Sequence, residues 1–137
     1  MILLDTNVLS EFMRPQPSAR VVSWLDDQPA GEVYTSAICR AEIELGLMLM
    51  PPGKRQEALS QAAQAMFDEE FAGRCLPFNE DAARYYGRIV AARTRAGRPI
   101  SVEDAQTAAI ALAHRMQLAT RNTADFEIID GLEIINP

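Results

Sequence analysis

The sequence predicts an α/β fold in three layers, with a central, mostly parallel five-stranded sheet between two layers of helices. Two observations lead to this prediction. The chain opens with four consecutive apolar residues, 1–4, which is typical of a short strand buried on both faces. After that strand, short apolar segments alternate with longer helical ones, an order that favours parallel strands joined by right-handed helical crossovers.

The elements follow one another along the chain with recognisable boundaries. Strands are predicted over residues 1–4, 33–35, 74–76, 118–120 and 133–135. Helices are predicted over residues 8–13, 21–25, 37–50, 54–70, 80–96 and 101–115. Prolines at 15 and 17 end the first helix, and the segment Pro-Pro-Gly at 51–53 ends the third. Ser36, Asn79 and Ser101 are expected to cap the helices that follow them.

Length and charge limit the possible functions. A chain of 137 residues with 48% apolar residues is expected to form a single domain over residues 1–137. The net charge of -6 argues against non-specific coating of nucleic acid, because that binding depends on Lys and Arg displacing counterions. Any nucleic-acid substrate must therefore be held in another way, for example through a bound metal.

The remaining compositional features predict an intracellular protein. Cys39 and Cys75 have no metal-ligand spacing and lie in separate apolar stretches, so we expect both to be reduced and buried. No basic leader with a cleavage site is apparent, and no apolar stretch reaches membrane-spanning length. We expect no membrane association and a cytoplasmic location.

Four carboxylates are placed where a site is expected in such a sheet. Asp5 follows the first strand, Glu42 lies in the helix after the second, Asp104 opens the helix over 101–115, and Asp125 follows the fourth strand. Ligand crevices in open α/β sheets form beyond the carboxyl ends of the strands. We therefore expect all four side chains to meet at one edge.

Each acid also has a purely structural interpretation. Asp5 is suitably placed to cap the next helix, Asp104 to serve as the acid of a capping box, and Asp125 to form an Asx-turn. Four acids at one edge repel one another unless cations bind, and hard divalent cations with oxygen ligands suit such a cluster. The set as a whole therefore favours a metal site more than any single member does.

Glu42 is the most informative of the four. It shares a helical stripe with Ile38, Leu45 and Leu49, so the pattern places a carboxylate on an apolar face. Burial of an unpartnered carboxylate is costly. Glu42 is therefore expected to bind a metal, or alternatively to pair with Arg40 or Arg121.

The absence of histidine and cysteine near these acids selects the metal and the reaction. Carboxylate oxygens suit Mg²⁺, with Mn²⁺ as an alternative, and both ions favour phosphate substrates. The expected reaction is metal-assisted phosphodiester hydrolysis, in which the ion polarises a phosphoryl oxygen, activates water and stabilises the leaving oxygen.

Four segments taken together resemble PIN-domain ribonucleases, specifically the toxins of VapBC or FitAB type toxin-antitoxin modules. They are residues 1–10 with Asp-Thr-Asn at 5–7, residues 36–46 around Glu42, Asp104, and residues 120–126 with Thr-Arg-Asn-Thr-Ala-Asp at 120–125. The resemblance covers essentially the whole chain. The ordered set is specific, whereas Asp-Thr-Asn alone is a weak motif.

The resemblance implies a complete functional assignment. It implies a PIN-like domain whose catalytic metal ligands are Asp5, Glu42, Asp104 and Asp125, supported by the polar residues Thr6, Asn7, Thr120 and Asn122. It further implies Mg²⁺-dependent cleavage of RNA, a homodimer or a larger toxin-antitoxin assembly, and inhibition by a cognate antitoxin of VapB or FitA type.

The partner has a candidate binding surface in the sequence. Apolar residues at 48–52, Met-Leu-Met-Pro-Pro, end the helix over 37–50. They are expected either to be core or to line an antitoxin-binding groove near the acidic site.

One departure and three alternatives accompany the resemblance. Cys39 and Arg40 precede Ala41-Glu42 where the family often has a small or β-branched residue followed by an apolar one, so Arg40 is expected to contact phosphate, partner or Glu44. A haloacid dehalogenase-like phosphatase needs an acid at position 7, which is Asn7 here. A phospho-receiver needs a lysine after the last strand, and no lysine follows Lys54. A PIN-like module that binds RNA or a partner without cutting remains as the third alternative.

Overall fold

The sheet is five-stranded and entirely parallel. In the computed structural model, which describes residues 1–137, the strands are β1 Ile2–Leu4, β2 Val33–Ser36, β3 Cys75–Leu76, β4 Gln117–Ala119 and β5 Ile134–Ile135. They pair in the order β3-β2-β1-β4-β5, with every pairing parallel. β1 therefore lies at the centre, and all its residues are buried. The prediction of a buried first strand is confirmed.

Six helices cover the two faces of the sheet. They are α1 Thr6–Glu11, α2 Ala19–Asp26, α3 Ala37–Met48, α4 Lys54–Ala65, α5 Glu80–Arg95 and α6 Val102–Ala113. Because successive side chains of a strand point to opposite faces, Ile2 and Leu4 join the apolar cluster under α1 to α4, whereas Leu3 joins that under α5 and α6. The predicted three-layer α/β/α architecture is confirmed.

The strand order reverses beside β1, and this reversal positions the site. From β1 the chain proceeds to β2 and β3 through α1 to α4, and it enters β4 on the other side of β1 only after α5 and α6. Such a reversal opens a crevice at the carboxyl ends of the two strands concerned. The residues that follow β1 and β4 are Asp5 and Thr120.

The predicted helix caps are present. They are Ser36, Asn79 and Ser101, whose side-chain oxygens accept the N–H of the residue three positions on at 3.2, 3.1 and 3.1 Å. Each bond satisfies one donor that the first turn leaves without an intrahelical partner. These caps fix where α3, α5 and α6 begin.

Two helical predictions need correction. The buried face of α3 consists of Cys39, Ile43 and Leu47, whereas Leu45 and Leu49 are 61% and 76% exposed. The helix is apolar on more than one side, so the stripe chosen from the sequence was not the one that faces the sheet. The helix predicted over 54–70 is α-helical only to Ala65 and ends in a π-helical turn over Met66–Glu70.

The sequence predicts that Cys39 and Cys75 are both reduced and buried and that no segment spans a membrane. Both thiols are free, but only Cys39 is buried, whereas Cys75 on the edge strand β3 is half-buried, so the prediction is wrong for that residue. Burial raises the pKa of the Cys39 thiol to about 12, which removes it as a nucleophile at neutral pH. None of the six helices combines the length and apolar character needed to cross a lipid bilayer.

Candidate active site

Asp5 is held by three hydrogen bonds at the carboxyl end of β1. As the N-cap of α1, its Oδ1 accepts the N–H of Thr6 at 2.8 Å, while its Oδ2 accepts Thr120 Oγ1 at 2.9 Å and Asn7 Nδ2 at 3.2 Å. Burial of the side chain raises the pKa of the carboxyl, and the bonds from Thr120 and Thr6 oppose that shift. Asp5 therefore does cap α1, and it also lines the pocket described below.

Glu42 reaches the same place from α3. Its Oε1 accepts a hydrogen bond from Thr6 Oγ1 at 2.9 Å. The side chain is half-buried, and this burial raises the pKa of the carboxyl. The bond from Thr6 opposes the shift, while the negative charges of Asp104 and Glu103 add to it.

The alternative in which Glu42 pairs with an arginine is wrong. Arg40 Nη1 lies 3.2 Å from Asp68 Oδ1, and Arg121 Nη1 lies 2.9 Å from Glu11 Oε2. Arg40 Nε also lies 3.7 Å from Glu44 Oε1, so one of the three contacts predicted for Arg40 is present. Glu42 thus has a hydroxyl donor but no cationic side chain as its partner.

Asp104 occupies the first turn of α6, on the opposite side of the sheet from α3. Its N–H donates to Ser101 Oγ, so the cap half of the predicted capping box forms. Burial raises the pKa of its carboxyl, and the negative charge of Asp5 raises it further. The cap uses only the backbone N–H of Asp104, so its side chain is available to line the pocket described below.

These three acids line a single pocket, and we call Asp5, Glu42 and Asp104 the acidic trio. The pocket has a volume of about 710 Å³ and is lined entirely by polar and charged residues. Three predicted polar neighbours, Thr6, Asn7 and Asn122, line it too. Thr120 is fully buried behind Asp5 and accepts the N–H of Asn122 at 3.1 Å.

Asp125 lies at the edge of this arrangement. Its side chain is exposed, in a 3₁₀ turn over Thr123–Phe126, and it does not line the pocket. Its negative charge nevertheless reaches Asp5 and Asp104, since it raises the pKa of both carboxyls. The structure therefore brings three of the four predicted acids together and leaves the fourth nearby.

Four further residues line the pocket, and only Arg121 among them was named from the sequence, as a possible partner of Glu42. They are Ser10, Glu11, Arg14 and Arg121. A signal was available for Ser10 and Glu11, because positions three and four residues after Asn7 share its face of α1, whereas Arg14 lies beyond the end of that helix. The position of Arg121 follows from tertiary structure alone.

A buried arginine holds the turn that carries Asp125. Arg93 on α5 donates to the carbonyl oxygens of Arg98, Asp125 and Glu127 at 2.6, 2.8 and 2.9 Å. The side chain is buried, so these carbonyls replace the water that would otherwise solvate the guanidinium. Nothing in its sequence context distinguishes Arg93 from the solvated arginines of the same helix.

The chemistry of the acidic trio fits Mg²⁺. Its members offer only carboxylate oxygens, and no histidine, cysteine or lysine lines the pocket. No three acidic, histidine or cysteine side chains are close enough to hold one ion by themselves. Mg²⁺ keeps several waters and is usually bound through one or two carboxylates, so direct contact with all three is not required.

The fold and the pocket define a class: parallel α/β domains with carboxylates grouped at the carboxyl end of a central strand. Within this class, the sequence profile described as "PIN domain" matches residues 2–132. The chain therefore belongs to the PIN-domain family, and the predicted family is confirmed. This membership removes the haloacid dehalogenase and phospho-receiver alternatives.

Similar proteins match over the full length. The chain is 42% identical over 137 residues to VapC ribonuclease Y4jK of Sinorhizobium fredii, covering 100% of this chain and 97% of the relative. It is 43% identical to Toxin FitB of Neisseria gonorrhoeae, covering 100% and 98%. Identity is also 43% to the plasmid stability protein StbB of Pseudomonas syringae pv. tomato, with the same coverage.

Solved structures show the same architecture. The crystal structure of FitAcB from Neisseria gonorrhoeae superimposes with a TM-score of 0.92 at 43% identity, covering 100% of this chain and 98% of that chain. A structure of FitAB bound to a DNA fragment gives the same TM-score at 44% identity, covering 100% and 95%. VapBC-1 from nontypeable Haemophilus influenzae gives 0.80 at 26% identity, covering 99% and 98%.

Proposed function

We propose that this protein is a Mg²⁺-dependent ribonuclease toxin of a type II toxin-antitoxin module. The convergence of the acidic trio in one polar pocket is the observation that supports this function most directly. Desolvation raises the pKa of each of these carboxyls, so a bound cation would relieve a cost already present in the fold. Relatives named VapC ribonuclease and FitB toxin support the reaction and the biological class.

In this proposal the acidic trio holds Mg²⁺, with Mn²⁺ as an alternative, and Asp125 contributes negative charge from the rim. The chemistry that the ion supplies when bound is polarisation of a phosphoryl oxygen, activation of water and stabilisation of the leaving oxygen. Hydrogen bonds from neighbouring polar side chains orient two of the carboxylates that would hold the ion. Asn7 and Thr120 orient the Asp5 carboxylate, and Thr6 orients that of Glu42.

The decisive experiment compares RNA cleavage by wild type, Asp5→Asn and Asp68→Asn. Wild type, freed from any partner, should cleave RNA in Mg²⁺ or Mn²⁺ and stop in EDTA. Asp5→Asn should be inactive, because an amide carries no charge and binds a metal less tightly. Asp68 lies outside the pocket, so Asp68→Asn should cleave like wild type and control for the loss of one acid.

Two outcomes would contradict this proposal. Full RNA cleavage by Asp5→Asn under the same conditions would show that the metal site is elsewhere. RNA binding without cleavage by wild type, in either metal, would favour the alternative of a PIN-like module that binds without cutting. In both cases circular dichroism would establish that the proteins compared are folded.

We also propose a VapB- or FitA-type antitoxin as partner, and a homodimer or larger assembly. Support comes from similar chains solved as FitAB and VapBC complexes. The end of α3 exposes apolar side chains at Leu45, Met48 and Leu49, which a monomer has no need to expose. Met50 of the predicted segment 48–52 lines a separate groove with Ile43 and Leu47, and Glu42 of the acidic trio lines the same groove.

The partner surface is tested with Met48→Asp. Met48 is 76% exposed, so the substitution should leave the melting temperature of the toxin unchanged. It should weaken antitoxin binding, because it places a charge in an apolar contact. Unchanged folding together with unchanged antitoxin affinity would contradict this placement. Light scattering of the toxin alone and of the complex would measure the proposed assembly.

A further inference from the structure

The pocket has a basic end that the metal chemistry does not use. Ser10, Glu11, Arg14 and Arg121 line it beside the acidic trio. Glu11 follows Asn7 by four residues on α1, which corresponds to a distance of about 6 Å along the helix axis. Two residues that line the pocket, Asn7 and Glu11, therefore lie about one helical turn apart on α1.

Glu11 differs chemically from the acidic trio. Its carboxylate is buried, yet it accepts the N–H of Ser18 at 2.7 Å and lies 3.3 Å from Arg14 Nη1 and 2.9 Å from Arg121 Nη1. The Ser18 bond is the main reason that its pKa is lowered, and the two arginines contribute further. Glu11 is thus an ionised acid whose oxygens are already engaged by donors.

The two arginines keep most of their donors available. Each contacts Glu11 through Nη1 alone, although a guanidinium has five N–H groups on three nitrogens. The Arg14 and Arg121 side chains remain 65% and 42% exposed, and both line the pocket. Arg14 and Arg121 carry one positive charge each and Glu11 carries one negative charge, so these three side chains have a net charge of +1.

Guanidinium groups with free donors are suited to phosphate, which they bind through paired N–H contacts. An RNA strand carries one negative charge per nucleotide, so a phosphate bound at the acidic trio has a neighbour a short distance along the strand. We propose that Arg121 and Arg14 form a subsite for the phosphate adjacent to the scissile one. Glu11 is the positioning residue of this subsite, and the inference rests on the proposed ribonuclease function.

Binding without metal is the first test, because it does not depend on cleavage. A fluorescently labelled single-stranded oligoribonucleotide is titrated with protein in EDTA at several salt concentrations, and anisotropy gives the dissociation constant. Arg121→Gln should weaken binding about tenfold at low salt and reduce the slope of log K against log salt by about 0.7. Arg98→Gln is the matched control, with 43% exposure, one carboxylate partner and a place outside the pocket.

Cleavage of two substrates separates phosphate binding from mere support of the fold. In Mg²⁺, Arg121→Gln should raise KM for the oligoribonucleotide by a much larger factor than KM for bis(p-nitrophenyl) phosphate, because that compound has only one phosphate and cannot occupy the adjacent subsite. Arg121→Lys should restore part of the RNA affinity through its charge. Glu11→Gln, if folded, leaves the charge of both arginines in place, so the salt slope should not fall, whereas KM for the oligoribonucleotide should rise because both guanidinium groups lose the carboxylate that positions them.

Each outcome decides the inference. If Arg121→Gln and Arg98→Gln have the same dissociation constant for the oligoribonucleotide and the same salt slope, the inference is overturned. An equal loss on both substrates would overturn it as well, because the arginine would then support the acidic trio itself. If wild type cleaves neither substrate, the proposed function fails, whereas the binding experiment in EDTA still decides whether the subsite exists.

Discussion

Replacement of Glu42 by glutamine tests whether this residue is a metal ligand or an ordinary structural acid. Glutamine keeps the side-chain shape and a carbonyl oxygen that can accept the Thr6 hydroxyl, so the bond at 2.9 Å can persist. What is lost is one negative charge that burial and nearby acids already disfavour. Without metal, Glu42→Gln should therefore be as stable as wild type or more stable.

The two interpretations differ by a large and measurable amount. Loss of one partner of a buried ion pair costs about 3 to 5 kcal/mol, which is roughly 6 to 20 °C in the melting temperature of a domain this size. Glu42 has no such partner, so no drop of that kind is expected. Mg²⁺ at a hundred times its dissociation constant should stabilise wild type by about 2.7 kcal/mol, or roughly 5 to 10 °C. Glu42→Gln should lose most of this gain.

Thermal melts of wild type, Glu42→Gln and Glu44→Gln in EDTA and in saturating Mg²⁺ provide the measurement. Glu44 is the matched control, because it is exposed on the same helix and contacts Arg40 at 3.7 Å. Its substitution should cost less than about 1 kcal/mol and keep the full Mg²⁺ shift. A Glu42→Gln protein that melts more than about 10 °C below wild type in EDTA, yet keeps that shift, would refute the ligand role.

Three further predictions concern pH, the buried arginine and the fourth acid. In EDTA, the melting temperature should rise as pH falls from 7 to about 5. The folded state raises the pKa of the Asp5, Glu42 and Asp104 carboxyls, so each stabilises the fold most at a pH below its unfolded pKa. That stabilisation is lost as the pH rises through the folded pKa. Glu11, with its lowered pKa, acts oppositely but only below about pH 4.5, so a steady fall from pH 7 would contradict this reasoning. Arg93→Met should cost about 2 to 4 kcal/mol in urea denaturation, and a loss below about 1 kcal/mol would show that its three carbonyl contacts are dispensable. Asp125→Asn should retain at least about tenfold more RNA cleavage than Asp104→Asn, because only Asp104 lines the pocket, and equal losses would place Asp125 among the direct ligands.

The sequence predicts the architecture well because local and tertiary preferences agree there. The apolar run before Asp5 forms the buried strand that its composition favours, and the three polar caps mark helix starts that the structure confirms. The buried face of α3 was missed because Ile38 and Leu45 alternate with Ile43 and Leu47 around the helix. Periodicity alone does not decide which of two apolar faces meets the sheet.

The site was predictable to the extent that it depends on the ends of elements. Asp5 and Asp104 follow from positions at a strand end and a helix start. The contact between Glu11 and Arg121 joins residues 110 positions apart, and the Arg93 contacts with the loop carrying Asp125 are also non-local. Neither pair has a local pattern that distinguishes it from ordinary surface charge, so both required the structure.

The pocket contains two kinds of carboxylate, and their different environments explain their proposed roles. The acidic trio is poorly solvated, its members raise one another's pKa, and none has a cationic partner, so a cation is what would stabilise it. Glu11, a helical turn beyond Asn7 on α1, has three donors and a lowered pKa, so it has little to gain from a metal. Because Asp5 caps α1 and Glu11 ends it, this helix joins the two ends of the pocket, and a metal bound at one and a phosphate at the other would be held in register along the RNA strand. In the proposed function, contacts of the metal and the two arginines with successive phosphates, rather than overall charge, would let a protein of net charge -6 bind RNA.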